Sequence, residues 1–128
     1  MVFHKQTRLH TGDGPKERGN CLPACFACLL DLESPEDCIQ VQEFYDLDNL
    51  NNTIWIDKLQ FWLKERGLRW VSTDGHLYDG SLYLVSGMAN RGFNHICIYR
   101  DGKLYHDPHP SGEGLINERD FSRIESTE

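Results

Sequence analysis

Three residues in this chain have the types and order of a nucleophilic site: Cys21 early, His95 and Asp107 late. A cysteine nucleophile needs a base to hold or take its proton, and the base needs a group to orient it. Cys21 lies in Gly19-Asn20-Cys21-Leu22-Pro23-Ala24-Cys25-Phe26-Ala27-Cys28-Leu29-Leu30, which reads as a loop turning into a buried helix. Gly19 permits a tight approach, Asn20 is a good N-cap, and Pro23 is tolerated only in a first helical turn. Cys21 then sits among unpaired N–H groups at the positive end of the helix dipole, a setting that favours thiolate over thiol. A histidine opening a strand is as often a satisfied core or surface residue as a base, so spacing alone leaves both readings open.

Other chemistries compete for the same residues. Cys21, Cys25 and Cys28 recur at helical spacing, and a structural zinc ion is the metal reading. C-x3-C-x2-C on one rigid helix does not converge on a tetrahedral ion as paired C-x2-C knuckles do. Cys25 and Cys28 read better as small buried apolar residues. A site of His95, His106 and Asp107 is conceivable, but it leaves Cys21 at a helix cap unexplained. The expectation is therefore no metal and no cofactor.

The elements that position these residues follow from periodicity. The Cys21 helix should run to about Leu32, apolar nearly all round and therefore central. Ser34 and Pro35 start a second helix reaching Tyr45, and a third spans Thr53 to Arg66, with Trp55, Leu59, Trp62 and Leu63 as its apolar stripe and Gly67 as its stop. Trp55, Trp62 and Trp70 read as core. Strands are expected over 68–72, 81–87, 94–99 and 103–107, with a short last strand from Asp120 to Ile124. Val2 to Thr7 suits a short edge strand, and Thr11 to Pro15 is loop by composition. Helices first and an antiparallel sheet second is the α+β pattern.

Length and composition narrow the rest. With 128 residues, one domain spanning 1–128 is expected. The net charge of −7 and the lack of a Lys/Arg cluster argue against nucleic acid. No apolar run has the length of a membrane span, and the first residues lack a signal-peptide core. Five cysteines, an odd number, fit a reducing cytoplasmic setting.

Asn20-Cys21-Leu22-Pro23-Ala24-Cys25-Phe26-Ala27 resembles the nucleophile segment of papain-like cysteine peptidases, nearest to the bacteriocin-processing peptidase domains of exporters, whose motif reads roughly D-C-G-P-A-C-L-A. Asn94-His95-Ile96-Cys97-Ile98 followed by Asp107-Pro108 resembles the histidine strand and D-P of those domains. Gly19 to Leu30, with His95 through Gly114, is also similar to small papain-like proteins of phages and bacteria. The resemblance implies a papain-like fold, with Cys21 as nucleophile, His95 as general base and Asp107 as orienter. It also implies an oxyanion-hole glutamine about six residues before the cysteine, where Gly14-Pro15-Lys16 stands instead. Gln6 and Asn20 are the oxyanion candidates, Gln6 on condition that Thr11 to Arg18 is an insertion that lets it reach. Leu22 replaces the family glycine and narrows the expected cleft.

Two functions follow. One is a cytoplasmic cysteine hydrolase, peptidase or isopeptidase, working on a protein or peptide through a thioester; a transferase using that intermediate reads the same way. The other is a catalytically silent papain-like fold that serves as a protein-binding or inhibitory module. The hairpin after His95 offers a geometric check. A three-residue loop, Arg100-Asp101-Gly102, sets Tyr99 against Lys103 and His95 directly against Asp107. A two-residue Asp101-Gly102 turn sets the two on opposite faces unless a bulge intervenes. The three-residue loop is the expectation, with Gly102 at positive φ and the His95 ring within hydrogen-bond reach of the Asp107 carboxylate.

Overall fold

The computed structural model describes residues 3–11, 17–45 and 54–127. Helices come first: α1 (Cys21–Leu29), two 3-10 turns (Pro35–Asp37 and Val41–Phe44) and α2 (Ile54–Lys64). Five strands follow: β1 (Leu68–Ser72), β2 (Leu82–Ala89), β3 (Asn94–Arg100), β4 (Lys103–His106) and β5 (Leu115–Ser126). They pair antiparallel in the order β1-β5-β2-β3-β4, so the fold is α+β.

α1 is buried from Leu22 to Cys28, as its all-round apolar sequence requires. It ends before Leu32 because Asp31 turns left-handed, with φ of 55°. Leu32 N–H then bonds back to Ala27 O at 2.9 Å and Asp31 N–H to Cys28 O at 3.4 Å, which closes the helix as a Schellman turn. The expected second helix breaks in two. Ser34 does cap, accepting Glu36 N–H at 3.1 Å, but Cys38 is extended. The Gln40 amide donates to Pro35 O and Cys38 O, taking carbonyls that a continuous helix would use. α2 buries Leu59 and Leu63, and Gly67, with φ of 73°, ends it. Thr53, the expected start of this helix, lies outside the described residues, as does most of the Thr11 to Pro15 loop. Residues 3–7 form no strand, which corrects the edge-strand expectation for that segment.

The sheet separates two apolar clusters. Leu84, Ile96 and Ile98 join α1 and α2 in the main core. Tyr83, Val85, Cys97 and Tyr99 form the second, with Leu77, Leu115 and Phe121. His95 opens that second row of β3, at the end of the strand. At the far edge of the sheet the Gln60 amide stands in for a neighbouring strand. It accepts Trp70 N–H at 3.1 Å and donates to Trp70 O at 2.7 Å, which fixes Trp70 above the sheet edge.

β5 is longer and more central than expected: twelve residues wedged between β1 and β2. Its register against β2 slips twice, leaving Arg119 and Ile116 as extra residues around Gly87 and Met88. At Gly87 the β5 backbone leaves no room for a side chain. A Cβ there meets Asn117 O at 1.8 Å, Asn117 C at 2.9 Å and Glu118 Cα at 3.2 Å, all main-chain atoms that cannot swing aside. Gly87→Ala is expected to cost about 3 kcal/mol or more of unfolding free energy in urea melts. A loss below about 1 kcal/mol would show that β5 can slide past the site.

The β3–β4 turn is the two-residue one. Arg100 pairs with Lys103, and Asp101 and Gly102 both have positive φ, 50° and 80°, as a type I′ turn demands. This corrects the three-residue loop; the positive φ of Gly102 agrees, and so does the closeness of His95 to Asp107, reached by another register. The register then shifts, because Tyr99 pairs with Leu104 but Ile98 with His106, leaving Tyr105 as an extra residue. That bulge turns Asp107 onto the face of Cys97 and His95.

Candidate active site

Cys21 is the first residue of α1, and it is half-buried while Leu22 to Cys28 behind it are buried. The first intrahelical bond runs from Ala24 N–H to Asn20 O at 3.0 Å. Among the described residues the N–H groups of Cys21 and Leu22 find no acceptor, and Pro23 has none to donate. Cys21 and His95 face one cleft of about 860 Å³, walled on one side by Tyr45, Trp55 and Trp70. Trp55 and Trp70 pack against the core and also line this cleft, so reading them as core alone is incomplete.

His95 and Asp107 meet inside the protein. His95 Nε2 is 2.7 Å from Asp107 Oδ1, with both side chains nearly inaccessible. The Asp107 carboxylate is anchored further: Oδ1 accepts His109 N–H at 2.8 Å and Oδ2 accepts Gly114 N–H at 2.8 Å. Lys5 Nζ clamps the same loop through Asp107 O at 2.8 Å and His109 O at 3.1 Å. Burial raises the Asp107 pKa, but the hydrogen bonds from His95, His109 and Gly114 outweigh it and hold the carboxyl well below the usual carboxylate range. Burial likewise lowers the His95 pKa, and Asp107, then Cys21, then Cys97 outweigh it, so His95 is raised. With Nε2 committed to Asp107, Nδ1 is the ring nitrogen left for a sulfur.

The remaining thiols are enclosed. Burial raises the pKa of Cys25 and Cys28 and pushes that of Cys38 up to about 12; at Cys97 it also wins over the lowering effect of His95. Cys25 Sγ donates to Ile96 O at 3.5 Å, and Cys28 Sγ accepts His4 N–H at 3.0 Å, so the α1 cysteines do not gather on one point. His106 turns away from His95 to His4 O, at 2.7 Å. Cys97 takes the place the sequence offered to His106: His95, Cys97 and Asp107 bring ligand-type atoms within 4.8 Å of one another. Tetrahedral ligands around one zinc ion stand roughly 3.3–3.7 Å apart given the usual bond lengths. The 2.7 Å His95–Asp107 contact is a hydrogen bond that an ion would have to open.

Neither oxyanion candidate turns its side chain to the cleft. Asn20 is fully buried and saturated. Its Oδ1 accepts Thr7 N–H at 3.1 Å and Arg8 N–H at 3.0 Å, and its Nδ2 reaches Thr7 Oγ1, Glu36 Oε2 and Gln40 Oε1. It ties the N-terminal segment to α1 and makes no side-chain cap. Gln6 does reach the nucleophile segment, since residues 8–11 pair back onto 17–20 through Asn20 N–H to Arg8 O and Thr11 N–H to Glu17 O. Its amide, however, packs on Gly19 and donates to Arg8 O at 3.0 Å.

Several site residues were not singled out from the sequence. Cys97 had a signal in its spacing, two residues after His95 along a strand. Gly87 had one as a glycine inside a strand. Arg18, Tyr45 and Arg119 line the cleft without any local motif. Compared with protein-family models, with curated proteins and with solved structures, the chain matches none.

Proposed function

We propose that this protein is a papain-like cysteine hydrolase that cleaves a peptide or isopeptide bond through Cys21, His95 and Asp107. The observation that carries the reading is the buried 2.7 Å His95–Asp107 bond, on a ring that lines the same cleft as Cys21. In the first step the Cys21 thiolate adds to the amide carbonyl carbon. As the C–N bond breaks, protonated His95 gives its Nδ1 proton to the leaving amine, and a thioester remains. Neutral His95 then takes a proton from water, whose oxygen attacks the thioester; the C–S bond breaks and the acid departs. The N–H groups of Cys21 and Leu22 are the donors available to the oxyanion. Asp107 keeps the ring oriented and balances its charge.

The second reading is a silent papain-like module that binds another protein. It is favoured by one observation, that Gln6 and Asn20 are both held by structural hydrogen bonds instead of facing the cleft.

Limited alkylation separates the two. Brief treatment with iodoacetamide at neutral pH, followed by peptide mapping, is expected to modify Cys21 and spare Cys25, Cys28, Cys38 and Cys97. Labelling of Cys38 or Cys97 with Cys21 spared removes the hydrolase reading.

A further inference from the structure

β5 carries an arginine into the cleft beside the strand position that pairs with His95. Gly87 on β2 pairs with His95 on one side and with Glu118 on the other, while Ser86 pairs with Asp120. Arg119 is the residue left over between them, lifted out of register by the bulge. Bulges re-aim side chains and collect beside active sites. Arg119 is exposed and shares the cleft with Cys21 and His95. Its guanidinium donates to Asn94 Oδ1, the side chain next to His95 in β3.

Among the described residues no carboxylate pairs with it. Arg8, Arg69 and Arg123 each hold a glutamate, whereas Arg119 makes no ion pair among the described residues. Of its two acidic chain neighbours, Glu118 is drawn to His76 Nε2 at 2.7 Å, while Asp120 lines the same cleft and accepts Ser86 Oγ–H at 3.4 Å. Arg18, the other cleft arginine, donates to Gln42 O at 2.9 Å and lies over the Tyr45 ring. A guanidinium with spare donors in a cleft matches a carboxylate, which it can grip through two parallel N–H bonds. The charged side chains lining the cleft are Arg18, Arg119 and Asp120, so arginine outnumbers carboxylate there in a chain of net charge −7.

We infer that Arg119 is a carboxylate-binding residue of the cleft, and that the substrate is a peptide carrying a carboxylate beside the scissile amide. This rests on Cys21 being the reactive thiol. The probes are iodoacetate and iodoacetamide, which alkylate the same sulfur and differ in charge. The ratio of their Cys21 rates is expected to fall about tenfold in Arg119→Gln and to return in Arg119→Lys. A ratio unchanged by Arg119→Gln, or one that follows Arg18→Gln instead, overturns the inference. Failure of both reagents to label Cys21 in the unmodified protein overturns the hydrolase reading itself, a distinct outcome. Two peptides then locate the carboxylate by protecting Cys21 from iodoacetamide. One has a glutamate side chain and an amidated C-terminus; the other has neutral side chains and a free C-terminus. Protection by either supports the inference and names the source, and protection by neither overturns it.

Discussion

Cys21→Ala is expected to remove all turnover above the uncatalysed rate, while Cys25→Ala and Cys28→Ala should leave turnover intact and lower stability by about 1–2 kcal/mol each. The contrast comes from one short helix. Cys21 is its first residue and faces the cleft; Cys25 and Cys28 lie one and two turns deeper, with no exposed surface. Cys25 fills space against β3 and bonds Ile96 O, and Cys28 holds the N-terminal segment through His4. Deleting either sulfur leaves a small void and a weakened contact, with no change at the cleft. Hydrolysis of p-nitrophenyl acetate, with mass spectrometry to catch an acetyl thioester on Cys21, measures the chemistry, and urea melts measure stability. Equal loss of turnover in all three folded variants would favour a metal held by the α1 cysteines and sink the thiol mechanism.

The parts of the site legible in the sequence are those that local chemistry dictates. Asn20, Pro23 and the apolar run beyond them specify a buried helix that begins at Cys21. The β-branched run after His95 specifies a strand, and Pro108 ends the next one. What escaped is set by pairing between strands. Asp101 is not a glycine, yet it takes positive φ, which shortens the turn to two residues and shifts the whole hairpin by one. The compensating bulge at Tyr105 restores the His95–Asp107 contact and has no local signature. β5 was underestimated for the same reason. The sequence places its start only at Asp120, because two bulges upstream spoil the alternation that marks a strand. Asn20 shows the limit of a local rule in another way: the residue type suits a cap, but Thr7 and Arg8 offer its side chain better partners in three dimensions.

Asp107→Asn is expected to slow hydrolysis about a hundred- to ten-thousandfold and to lower stability by about 1–3 kcal/mol. The carboxylate accepts three hydrogen bonds on two oxygens, from His95, His109 and Gly114. An amide has one acceptor oxygen. If that oxygen serves His95 and His109, its NH2 confronts the Gly114 N–H; if it serves Gly114, the other two donors are orphaned. The charge effect has a definite sign. His95 is raised above its ordinary value of 6.5, so the pair contributes fully below that pH and its contribution fades as pH rises through the folded value. Asp107 is depressed below 3.8, so its contribution is present above that pH and fades as pH falls through the folded value. The pair therefore stabilises the fold most between about pH 4 and 6.5. Removing the negative charge leaves burial as the largest influence on His95, and burial lowers its pKa. NMR titration of the His95 ring should consequently move to lower pH in the variant, and the alkaline loss of stability should move with it. A His95 titration that does not shift, together with an undiminished rate, would remove Asp107 from the mechanism and leave a Cys21–His95 dyad.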